Sequence, residues 1–74
     1  MVREIIFGVC DKTGECDSYF GFFKNEDDAI KEVKIQGHNL KEDLGIFDIT
    51  IKKDRVISNS DNKLLIVIHN FVLR

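Results

Sequence analysis

A chain of 74 residues with 43% hydrophobic content has room for one domain built on one modest core. Its formal charge of −2 excludes both the basic surface of a typical polyanion binder and the acid density of a DNA mimic. The longest apolar run, Leu64 to Ile68, is far too short to cross a bilayer, so no membrane partner is expected.

Met1-Val2-Arg3-Glu4 lacks the basic flank, apolar centre and small-residue cleavage site of a secretory signal, which predicts a cytoplasmic protein. The first strand is expected from Arg3 to Cys10. Asp11-Lys12-Thr13-Gly14 follows, with Asp at the first position of a type I turn and Gly14 at the fourth. Read as a three-residue hairpin loop, it needs positive φ at Gly14 and sets Cys10 opposite Cys16. The second strand is expected from Cys16 to Phe23.

Asn25 is a good helix N-cap, and Glu26, Asp27 and Asp28 place acids where the helix dipole favours them. Ala29, Ile30 and Val33 form the apolar stripe. Gly37 reads as the residue that ends the helix after about three turns. Asn39 to Leu44 reads as one further turn closed by Gly45.

Phe47, Ile49 and Ile51 alternate with Asp48, Thr50 and Lys52, the pattern of a strand buried on one face. Val56-Ile57 reads as an extension of that strand. Ser58 to Asn62 is turn chemistry. Leu64 to Leu73 is more continuously apolar and is expected at the centre of the sheet. The fold class is therefore α+β in ββαββ order: a four-stranded antiparallel sheet with one helix packed on one face.

One short helix covers only one face of such a sheet. Tyr19, Phe20, Phe22 and Phe23 cannot all point beneath it, because side chains alternate along a strand. Regular alternation puts Tyr19 and Phe23 on one face and Phe20 and Phe22 on the other. Tyr19 and Phe23 are the expected partner-binding anchors, with Phe20 and Phe22 under the helix; the helix stripe leaves the reverse assignment open. Uncovered apolar surface of this kind marks a homodimer or a protein partner; the alternative is that strand twist, the Leu40–Leu44 segment and long lysine stems cover it.

Residues that carry chemistry are sparse. Cys10 and Cys16, if opposed, suit a strained disulfide or half a metal site, but in a cytoplasmic chain they read first as reduced, small apolar residues. His38 and His69 are not spaced to complete a metal site with them. Asp11, Thr13, Glu15 and Asp17 alternate like the start of a calcium loop, yet glycine stands at the fourth position and Phe22 where the closing glutamate belongs. No phosphate loop, zinc-protease helix or nucleophile elbow is present. No catalytic residue, metal ligand or cofactor is expected, and the reading is non-enzymatic.

Phe20-Gly21-Phe22-Phe23, followed by Asp28-Ala29-Ile30-Lys31-Glu32, is similar to part of an RNA-recognition motif. The resemblance covers about a quarter of the chain, and Ser18-Tyr19 stands where that family has a basic residue and glycine. It implies base stacking on the aromatic strand. The leading functional expectation is a small protein-binding or regulatory module, inhibitor or antitoxin-like, working through its sheet face or edge. The alternative is a nucleic-acid-binding domain that uses residues 19–23 and the cluster Lys52, Lys53 and Arg55. The absence of proline and tryptophan, with abundant Ile, Lys, Asn and Asp, matches an AT-rich gene such as one from a low-GC bacterium, phage or plasmid.

Overall fold

The computed structural model describes residues 4–73. Arg3, expected to open the first strand, lies outside the described residues, as do Met1 and Val2. The elements run β1 (Glu4–Asp11), β2 (Ser18–Phe23), α1 (Glu26–Glu42), β3 (Ile49–Ile51), β4 (Arg55–Ser58) and β5 (Leu64–Leu73). All five strands form one antiparallel sheet in the order β2-β1-β5-β4-β3. The α+β class and the single helix agree with expectation, and β5 takes the middle of the sheet. The strand count does not agree. Val56-Ile57 belongs to a separate strand, because Lys53-Asp54 makes a tight turn in which Lys52 N–H donates to the Arg55 carbonyl at 2.7 Å. The order is thus ββαβββ, and the basic cluster is a hairpin tip.

The first hairpin also departs from expectation. Asp11 pairs with Ser18, and Cys10 pairs with Tyr19, so the loop spans Lys12 to Asp17. Gly14 does not adopt positive φ; among the described residues only Gly45 (67°) and Asn62 (58°) do. The longer loop is held by its own polar side chains. Asp11 Oδ1 accepts from Thr13 N–H at 2.9 Å, and Lys12 Nζ donates to Asp17 at 3.0 Å. Side chains therefore fix a conformation that the sequence pattern assigned to a glycine.

The helix starts as expected, with Asn25 in extended conformation at the N-cap, and its side chain reaches Asp28. It does not end at Gly37 but continues to Glu42. Gly37 lies inside it, buried on the stripe Ala29, Val33, Gly37 and Leu40. A Cβ there would lie 2.9 Å from Ile51 and 3.2 Å from Val56. The glycine lets the helix approach β3 and β4, which outweighs its poor helix propensity. Gly45 then takes the left-handed turn, and Ile46 N–H closes onto the Leu40 carbonyl at 2.9 Å. This reversal leaves Phe47 72% exposed rather than buried with Ile49 and Ile51.

The core lies between α1 and one sheet face. Val9, Ala29, Val33, Leu40, Ile49, Val56, Leu65 and Ile66 are buried, with Phe7, Phe23, Ile51 and Ile68 packed against them. At one end the β1–β5 pair outruns its neighbours: Glu4, Ile5 and Ile6 pair with Leu73, Val72 and Phe71, while β2 reaches only as far as Phe7. This projecting ribbon contributes to a long dimension of 45 Å against 23 Å and 18 Å.

Candidate aromatic interface

The second face of the sheet has no helix over it. Cross-strand partners share a face, so the register places Gly8, Phe22 and His69 together, along with Cys10, Tyr19, Val67 and Arg55. Phe71 and Ile6 join them by pairing with each other one step along. Lys52, opposite Arg55 at the hairpin tip, continues the same face.

Tyr19 and Phe22 are on this face together because β2 is bulged. Gly21 pairs with Val9 and Tyr19 with Cys10, which leaves Phe20 without a partner. One extra residue reverses the alternation on one side of the bulge. Tyr19 therefore stands where it was expected. Phe23 does not share its face but is half-buried against the core opposite Phe7. Phe20 lies on the helix side with Gln36, Asn39 and Leu40. Phe22, expected under the helix, is the most exposed aromatic of the open face.

Three rings converge over Gly8. A Cβ at that position would lie 2.9 Å from Phe71 and 3.1 Å from both Phe22 and Tyr19. Tyr19 and Phe22 stack with centroids 5.0 Å apart, and Phe71 lies 5.9 Å from Tyr19 and 6.1 Å from Phe22, in tilted and edge-on arrangements. Offset and edge-on contacts of this kind are the favourable ones between aromatic rings. The Tyr19 hydroxyl lies 3.1 Å from His69 Nδ1, and the imidazole packs edge-on to Tyr19 and Phe71. His69 is thus half-buried and hydrogen-bonded.

The cluster is only partly sheltered. Tyr19 is 38% exposed, Phe22 57% and Phe71 39%. With Ile6 and Leu73 they line a shallow depression of about 430 Å³. Cys10 belongs to this face too but is fully buried. Burial, reinforced by the charge of Asp17, pushes its thiol above the usual range. Cys16 is exposed, and both cysteines are free.

Charge stays at the rim, where Lys52 stands opposite Arg55 and Glu4 opposite Leu73. Lys12 meets Asp17 at 3.0 Å, and Arg55 meets Asp54 at 3.1 Å. The guanidinium of Arg55 holds the Asp54 carboxyl below its usual range. Sequence reasoning missed Phe71 and Gly8. Their signals were the alternation of Val67, His69 and Phe71 and a glycine set inside an otherwise β-branched strand.

A second depression of about 380 Å³ lies beside the free end of β4, lined by Glu26, Ile30, Lys53, Asp54, Ile68 and Asn70. Its ionisable side chains are Glu26, Lys53 and Asp54, with no cysteine, histidine or hydroxyl among its lining residues. Among the described residues no group of three or more His, Cys, Asp or Glu side chains is placed to hold a metal ion. No helix among them is long and apolar enough to cross a membrane. No known protein family matches this chain, and neither a curated protein nor a solved structure matches it.

Proposed function

We propose that this chain is a small non-enzymatic protein-binding module of the cytoplasm, a regulator, inhibitor or antitoxin-like protein that works through the open face of its sheet. One observation carries the reading: Tyr19, Phe22 and Phe71 form a partly exposed aromatic cluster with no charged side chain at its centre. Aromatic anchors held in place before contact, inside a polar rim, are what protein interfaces use for most of their affinity. The rings already rest on one another over Gly8, so little side-chain freedom is lost on docking. Tyr19 remains an anchor in this reading, and Phe22 takes the place expected for Phe23.

The test is capture of partners from the native host by the tagged protein, compared with Phe22→Ser. Loss of the captured protein with the fold retained supports the reading. Capture unaffected by both Phe22→Ser and Tyr19→Ser would overturn it.

A second reading has its own observation: Lys52 and Arg55 share the face of the aromatic rings. Bases stacked on Tyr19 or Phe22 would then have phosphate contacts within the same surface. The pairing of Arg55 with Asp54 counts against it, since a neutralised guanidinium attracts phosphate weakly. A gel shift with single-stranded RNA or DNA, repeated at rising salt, separates the two readings, because phosphate contacts weaken steeply with salt.

A further inference from the structure

We infer that the occupant of the open face is a second copy of this chain, packed face to face about a two-fold axis. The inference rests on the reading of that face as a protein interface and names the partner.

Surface area is the first argument. A compact monomer of 8.5 kDa exposes about 4,650 Å² by the usual size scaling, whereas this chain exposes 5266 Å². The excess, about 600 Å², belongs to an elongated chain of 45 × 23 × 18 Å with one sheet face uncovered. The open face can supply an area of that order. Tyr19, Phe22, Phe71 and Leu73, with half-buried Ile6, Val67 and His69 beside them, offer on the order of 500 Å² per copy. Complete burial of that area on two copies would remove about 1,000 Å², the size of a weak, reversible dimer.

Charge is the second argument. Around a two-fold axis residue i meets residue j and j meets i, and a side chain near the axis meets its own copy, so a charge there repels itself. The central positions of this face are Ile6, Gly8, Cys10, Tyr19, Phe22, Val67, His69 and Phe71, none of them an acid, lysine or arginine. At the rim, Lys12 and Arg55 are already paired with Asp17 and Asp54 of the same chain. Glu4, opposite Leu73, and Lys52, opposite Arg55, add one charge of each sign at the rim, so the face offers no single sign to a charged ligand and no charge at its centre to repel its own copy. A foreign partner would impose neither condition.

Analytical ultracentrifugation from micromolar to millimolar concentration tests this. The wild-type mass should rise from 8.5 kDa toward twice that value. Phe22→Glu should stay monomeric at every concentration with an unchanged circular dichroism spectrum. Ile35→Glu, on the outward side of the helix, should associate like the wild type. Should Phe22→Glu fail to fold, dilution of the labelled wild type read by NMR replaces it: amides of Tyr19, His69 and Phe71 shift on dilution and those around Ile35 do not. A wild-type chain that is monomeric at millimolar concentration overturns the inference, as does a dimer that Phe22→Glu leaves intact or that Ile35→Glu dissolves. The wider reading is judged separately with a displayed peptide library. A monomer whose open face still selects peptides, in a manner lost in Phe22→Ser, keeps the protein-binding reading and loses only self-association.

Discussion

Tyr19 and Phe22, three residues apart on one strand, stack on the same face of the sheet with ring centroids 5.0 Å apart. In an unbroken strand they would point to opposite sides. The unpaired Phe20 between them makes the contact, and the missing side chain of Gly8 leaves the space into which both rings lean.

Gly8 is therefore the position most sensitive to added volume. Gly8→Val should destabilise the fold by about 1–3 kcal/mol, the usual cost of overpacking, because its first carbon already meets three rings. Urea denaturation gives the value. An unchanged midpoint would mean that the rings do not close over Gly8.

The Tyr19 hydroxyl and His69 should show measurable coupling. Tyr19→Phe keeps the ring contacts and removes only the hydroxyl's bond to Nδ1. A double-mutant cycle with His69→Ala should return about 0.5–1 kcal/mol, since the pair is partly solvated. Strict additivity would show that the bond adds nothing to stability.

The two thiols should differ sharply toward a disulfide reagent. Cys16 is exposed and should react at once, whereas Cys10 is buried and should react only as the fold opens. The raised thiol pKa of Cys10 has a second consequence. The folded state holds this proton more tightly than the unfolded chain does, so the contribution is intact below the ordinary thiol range and is lost as pH rises through the folded value. Alkaline titration of stability should show that loss in the wild type and not in Cys10→Ala. Equal reaction rates for the two thiols would contradict the burial of Cys10.

The glycines divide by mechanism. Gly37→Ala should destabilise although alanine favours helices by about 1 kcal/mol, because its Cβ would press on Ile51 at 2.9 Å. Gly45→Ala should cost roughly 1 kcal/mol for its positive φ. Gly14→Val should be nearly neutral, since the nearest atom to its Cβ is 3.7 Å away and Gly14 lacks the positive φ that a three-residue loop would need. Thermal melts of the three variants check the ranking.

The excess of aromatic surface was legible because it needs only two facts, the alternation of a strand and the shortage of helices. The face to which each ring belongs was not. That depends on the register between Tyr19 and Cys10, which is set by pairing across the sheet and leaves no local trace in Ser18 to Phe23. Gly37 misled for a different reason. A glycine in a helical pattern serves equally as a terminator or as a point of close approach, and only Ile51 and Val56 across the gap decide between them. The stretch from Lys52 to Arg55 displayed its charge and concealed its turn, so β4 was absorbed into its neighbour. Phe71 was visible within a strand, but its meeting with Tyr19 and Phe22 joins residues roughly fifty positions apart in the chain.

That separation also governs how the fold is reached. The two longest strands, β1 and β5, are the first and last elements, and they lie side by side at the heart of the sheet. Hairpins β1–β2 and β3–β4 can close locally, but the central seam waits for a loop of most of the chain to close. Such high contact order predicts folding in milliseconds or slower rather than microseconds. During synthesis, Ile5, Ile6, Phe7 and Val9 leave the ribosome well before the strand that covers their edge. Until β5 emerges, β1 carries unpaired backbone groups along that side, so the nascent chain is exposed to aggregation through the strand that later anchors the finished sheet.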